Sequence, residues 1–139
     1  MKTLINSAFI LVLFSTGINA WSQKKGTPDP AATYVHFLGY KTEIRKEPNG
    51  SEFGVVIFPD GSECRDWEFY RGICGKKYSY CTLKGCDINT KTENKGSCWV
   101  TYAVCSCRDS SGMVHDIPLN EFMEQHGDTL IKHIPGRKG

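Results

Sequence analysis

The chain has 139 residues, with 17 Lys and Arg against 15 Asp and Glu, so it is close to electrically neutral. A balance of this kind argues against a general binder of nucleic acid or of anionic membranes. The size suits one ordinary domain or two very small ones.

The chain opens with a single basic residue, Lys2, and Leu4 to Phe14 is then apolar apart from Asn6 and Ser7. That run is too short for a membrane-spanning helix and fits the core of a secretory signal, predicted over 1–22. Cleavage before Trp21 or before Gln23 fits. The second site has the small residues Ala20 and Ser22 at −3 and −1 and is preferred. No cysteine lies near either site, so no lipid anchor is expected, and no second long apolar run follows. The mature protein is therefore expected to be soluble, secreted or periplasmic, without membrane contact once the signal is removed.

Residues 23–28 read as a flexible lead-in. Asp29-Pro30 then predicts a helix start, with Asp as N-cap and Pro at the first helical position, where its missing N–H does no harm. Ala31, Tyr34, Val35 and Leu38 give it one apolar face, and Gly39 ends it. Tyr40 to Arg45 alternates as a strand. Pro48-Asn49-Gly50-Ser51 supplies a hairpin turn, and Phe53 to Phe58 returns. After Pro59-Asp60-Gly61, Ser62 is expected to cap a second helix running through Arg71, with Cys64 and Trp67 on one side and Gly72 as the stop.

The same order recurs. Tyr80 to Cys86 matches Tyr34 to Tyr40 at an offset of 46, and Tyr102 to Cys107 matches Phe53 to Phe58 at an offset of 49. Between them Asp87 to Thr92 reads as a strand and Asn94-Lys95-Gly96 as a turn. Leu119 to Gln125 reads as a short closing helix. The expected fold is α+β, a disulfide-stabilised tandem repeat of helix, β-hairpin and helix. Its first unit is 29–75, its second a diverged copy at 76–134, and 135–139 form a tail.

Seven cysteines, at 64, 74, 81, 86, 98, 105 and 107, all follow the signal. In an oxidising compartment, a small domain this rich in cysteine uses disulfides to supplement a limited core. Seven is odd, so at least one thiol has no partner within the chain, and more than one connectivity stays open. Cys64 and Cys74 flank the expected second helix and are paired on that ground. Cys86 and Cys107 could bridge across the open end of the second hairpin.

The series Pro30-Ala31-Ala32-Thr33-Tyr34, Glu43-Ile44-Arg45, Phe53 to Cys64 and Trp67-Glu68-Phe69-Tyr70-Arg71-Gly72 resembles a family of small secreted bacterial and archaeal domains of unknown function, often labelled haemolysins. The resemblance covers roughly residues 28–86. Members of that family typically carry a cysteine after the first-helix Tyr and another in the return strand. Here those positions hold Val35 and Val56. This substitution implies a lost bridge refilled by an apolar contact. Carried through the repeat, the equivalent positions are Cys81 and Cys105, and the resemblance implies a disulfide between them. Together with the Cys64–Cys74 and Cys86–Cys107 pairs, this would leave Cys98 as the free-thiol candidate.

No catalytic set, cofactor or metal site is expected. Cys105-Ser106-Cys107 with Cys81 and Cys86 lacks the spacing of zinc ribbons. His115, His126 and His133 read as surface residues, and Glu63, Asp66 and Arg71 as cap and surface charges. Trp67, Phe69 and Tyr70 read as core, with an exposed recognition patch as the alternative. The leading expectation is a non-enzymatic secreted binding module with hairpin tips at 46–51 and 92–97. It would take an unidentified protein partner, such as an extracellular hydrolase that it inhibits. The rivals are a membrane-active haemolysin-like protein and an enzyme or redox protein using the Cys98 thiol. Oligomeric state is left open.

Overall fold

The computed structural model describes residues 29–130. The expected signal, the lead-in before Asp29, His133 and the C-terminal tail lie outside the described residues. Helix α1 (Pro30–Phe37) starts as its sequence requires: the Asp29 carboxylate accepts the Ala31 N–H at 2.9 Å, and Pro30 stands at the first helical position. Strands β1 (Lys41–Lys46), β2 (Glu52–Ile57) and β3 (Glu63–Arg65) form an antiparallel sheet in that order, followed by α2 (Asp66–Tyr70). A single 3₁₀ turn over Lys76–Tyr78 leads to α3 (Tyr80–Leu83). A second antiparallel sheet then forms from β4 (Asp87–Asn94), β5 (Trp99–Arg108) and β6 (Val114–Pro118), and α4 (Leu119–Gln125) closes the described chain.

The helix expected over Ser62–Arg71 is corrected to a strand and a shorter helix. Ser62 caps nothing. Its N–H and hydroxyl donate to the Asp60 carboxylate, and its carbonyl accepts the Phe58 N–H, which turns the chain back onto β2. Cys64 then pairs with Val56, so the helix begins three residues later than expected, with Arg65 at the N-cap position making no side-chain bond to the helix backbone. The second half has a matching third strand, in which Ile117 pairs with Cys105. Each half is therefore a helix, a three-stranded meander and a helix, rather than a helix, a hairpin and a helix.

The two meanders also agree in register. Lys41 pairs with Ile57 and Thr42 with Val56, while Asp87 pairs with Ser106 and Ile88 with Cys105. These rungs are related by the offsets of 46 and 49 seen in the sequence. A glycine with positive φ ends the leading helix of each half, Gly39 and Gly85, where a side chain would strain the backbone.

One apolar core runs through both halves. The first contributes Tyr34, Val35, Val56, Phe58 and Phe69, and the second contributes Tyr80, Cys81, Ile88, Cys105, Phe122 and Met123. The seam between them is also hydrogen-bonded. The Tyr80 N–H donates to the buried Tyr34 hydroxyl, the Thr90 hydroxyl to the Arg71 carbonyl, and the Tyr70 hydroxyl to the Asn120 carboxamide oxygen, each at 2.9 Å. The outer sheet faces are closed by polar side chains. Val55 is buried on a face crossed by the Glu43–Arg45–Glu63 ion pairs, with Arg65 lying 4.1 Å over the Phe53 ring. Val104 is buried on a face carrying Lys91, Asp116 and Ser106, which are linked to one another. Such exposed ion pairs add little stability individually, but their stems cover apolar surface.

Candidate interaction surface

The six cysteines expected to bridge are brought together in three pairs. Cys64–Cys74 ties β3 to the segment after α2. Cys81–Cys105 ties α3 to the middle of β5 inside the core. Cys86–Cys107 closes the open end of the second hairpin. Cys98 is exposed and unpaired. In the first half, the places equivalent to the last two bridges are filled without covalent bonds. Val35 and Val56 are fully buried in the core, and the Tyr40 and Phe58 rings meet edge-on with centroids 5.5 Å apart.

Cys64, Cys74 and Glu68 lie close enough together to suggest a metal cluster. The disulfide consumes the two thiolates such a site would need, and Glu68 is left beside Cys74 as a solvent-facing acid. Two of the histidines have local partners: His115 contacts Asp109 at 2.7 Å, and His126 Nδ1 lies 2.8 Å from the Phe122 carbonyl. Of the aromatic trio on α2, Phe69 is core, Tyr70 is half-buried in the seam, and Trp67 is exposed beneath the Arg71 guanidinium. A shallow cleft of about 240 Å³ lies at the seam, lined by Tyr70, Tyr102, Ala103, Pro118, Leu119 and Asn120. That is below the size usual for small-molecule sites.

The two hairpin tips differ sharply. In the first, the Asn49 carboxamide oxygen accepts from the Ser51 N–H and hydroxyl, and Lys46 pairs with Glu52, so the tip is short and polar. The second hairpin has eight paired rungs against six. The two additional rungs, Glu93 with Val100 and Asn94 with Trp99, carry the tip roughly 7 Å further. Trp99, 71% exposed, and Val100 stand on this extension, and Cys98 lies just beyond it. Glu93 is held below the usual carboxylate range by Lys95 first and by Tyr102, which fixes the polar side of the extension. Sequence reasoning places the tip at 92–97 and so passes over Trp99. The available signal is the apolar pair Trp99-Val100 following a glycine turn.

A second feature has no clear signal in the sequence. Asp66 reads as a surface charge, but it is buried, and its carboxylate occupies the space where a side chain at Gly54 would go. Burial, and then the nearby Asp29 charge, push its carboxyl above the usual range, partly offset by the Trp67 N–H, which donates to it at 2.7 Å.

Residues 26–73 match the model of DUF333, a domain of unknown function. An uncharacterized protein of Archaeoglobus fulgidus is 32% identical over 92 residues, which is 66% of this chain and 43% of that protein. The chain thus aligns with less than half of that relative's length. No solved structure matches. Neither description carries a haemolytic activity, and among the described residues no helix is long and apolar enough to cross a membrane.

Proposed function

We propose that this chain is exported by its N-terminal signal and acts outside the cytoplasm as a non-enzymatic binding module, built from two diverged copies of one unit, that offers its second hairpin tip to a protein partner. The observation that carries this reading is the two-rung extension that raises Trp99 and Val100 at the far end of a hairpin whose base carries two bridges. An exposed tryptophan is a frequent energetic anchor when a partner covers it. The Cys81–Cys105 and Cys86–Cys107 bridges hold the base of the hairpin, so less order has to be imposed when the tip docks. A rigid projecting tip of this kind suits insertion into a cleft, and the narrower form of the proposal is inhibition of an extracellular hydrolase. The shared register of the two meanders and the offsets of 46 and 49 support descent from a duplicated unit. The three bridges support an oxidising compartment.

The test is a comparative capture from the native extracellular fraction with the immobilised oxidised protein and its Trp99→Ala variant. A partner identified by mass spectrometry that the parent retains and the variant releases is the expected result. Equal recovery by both, or no specific partner, overturns the proposal.

A further inference from the structure

Each meander contains a place where the middle of its second strand meets the first residue of the following helix. In the second half these residues are Ala103 and Leu119, two rungs from the Cys105–Ile117 pair. Both are buried in the common core. In the first half, the same places around the Val56–Cys64 pair hold Gly54 and Asp66. The scaffold therefore accepts an ordinary apolar pair at this point, and the first half has a glycine and a carboxylate instead. Asp66 is only 6% exposed. One of its oxygens, Oδ1, accepts the Trp67 N–H, while Oδ2 points at Gly54, where there is no side chain to meet it. Among the described residues Asp66 forms no ion pair: Arg45 and Arg65 lie on the opposite face of the sheet, paired with Glu43, Glu63 and Glu47, Arg71 lies on the Trp67 ring, and Lys46, two residues from Ile44 on the same face, pairs with Glu52. The charge that acts on it from outside its own helix is a second acid, Asp29. A buried carboxylate without a cation is costly, and the fold does not demand one here.

The surroundings describe what would relieve it. Ile44, opposite Gly54 on the edge strand β1, is 68% exposed, and Trp67, next to Asp66 in the chain, is 37% exposed. In the second half the residue equivalent to Ile44 is Thr90, which is tied down by its bond to the Arg71 carbonyl. The corresponding position thus holds a hydrogen-bonded threonine in one half and an exposed apolar side chain in the other. The geometry points to Asp66, Ile44 and Trp67 as a docking site for a lysine or arginine side chain of a protein partner. The aliphatic stem would lie along Ile44 and Trp67, and the cationic head would meet the Asp66 carboxylate. This rests on the reading of the chain as a protein-binding module but uses a different surface from the Trp99 tip, so the two can fail separately.

The experiment is an NMR titration of the oxidised protein with the capped single amino acids N-acetyl-lysine-N-methylamide and N-acetyl-arginine-N-methylamide, with the norleucine analogue as the uncharged control. Saturable shifts at the Gly54 amide, the Ile44 methyls and the Trp67 indole N–H are expected for the cationic probes and not for norleucine. Affinity should fall at least tenfold in Asp66→Asn and be unchanged in Trp99→Ala. Ile44→Lys, which supplies a cation from within the chain, should remove probe binding while keeping the folded spectrum. No shift in the parent protein, equal shifts with norleucine, or undiminished binding by Asp66→Asn overturns the inference.

Discussion

The first and second halves have the same strand order and the same register, yet they are held in different ways. Where the second half joins α3 to β5 and closes its hairpin with disulfides, the first half has Val35 with Val56 in the core and Tyr40 against Phe58. Where the second half packs Ala103 with Leu119, the first holds Gly54 and a buried Asp66. The second hairpin is longer and ends in apolar side chains, while the first ends in a polar turn. The contrast sets a buried cystine in one half beside two buried valines at the corresponding register in the other. A disulfide acts mainly on the unfolded chain, and a packed pair acts on the folded one.

The largest effect should come from the buried bridge. Cys81→Ala with Cys105→Ala loses both the cross-link and the volume it filled, with an expected cost of about 3–5 kcal/mol by urea denaturation. Cys81→Val with Cys105→Val installs the first half's solution and should cost less than the alanine pair. If the two double variants were equally unstable, the comparison would break.

Next comes the Gly54 position. Gly54→Ala alone drives a methyl into the Asp66 carboxylate and should destabilise by about 1–3 kcal/mol. Gly54→Ala combined with Asp66→Leu recreates the pair of the second half and should recover most of that loss. A smaller effect is expected from pH. Burial raises the Asp66 carboxyl in the folded state relative to the unfolded chain. The stability tied to this group is therefore fully present below its unfolded pKa and is lost as pH rises through its folded value. Asp29 faces the group from the start of α1 and acts in the same direction. In Asp66→Asn this part of the pH dependence should vanish, and the variant should match or exceed the parent in stability at neutral pH. The smallest effect on folding is expected at the second tip. Trp99→Ala removes an exposed side chain, so the unfolding free energy should move by no more than about 0.5 kcal/mol whatever happens to partner capture.

Much of the scaffold is legible because it is written locally. Asp29-Pro30 starts a helix by capping chemistry alone, Asn49-Gly50 turns a hairpin by backbone preference, and the offsets between the halves are visible once the Tyr and Gly positions are compared. The third strands are not legible. Glu63-Cys64-Arg65 is too short and too polar to show a period, and it becomes a strand only because β2 offers it an edge. Asp66 escapes for a related reason. An acid at the start of a helix is ordinarily solvated and favourable, and only the absence of a side chain at Gly54, distant in sequence, makes room for it to be buried. The added rungs that lift Trp99 likewise depend on pairing with β4, which no residue in the tip specifies by itself.

The equivalence of the two halves is tested most directly by moving a bridge from one to the other. Val35→Cys with Val56→Cys places thiols at the positions that Cys81 and Cys105 occupy in the second half. Peptide mass spectrometry of the natively folded, non-reduced double variant should find the two introduced thiols joined to each other, the three existing bridges intact and Cys98 still free. Two unbridged thiols at positions 35 and 56 in the folded protein would contradict the account.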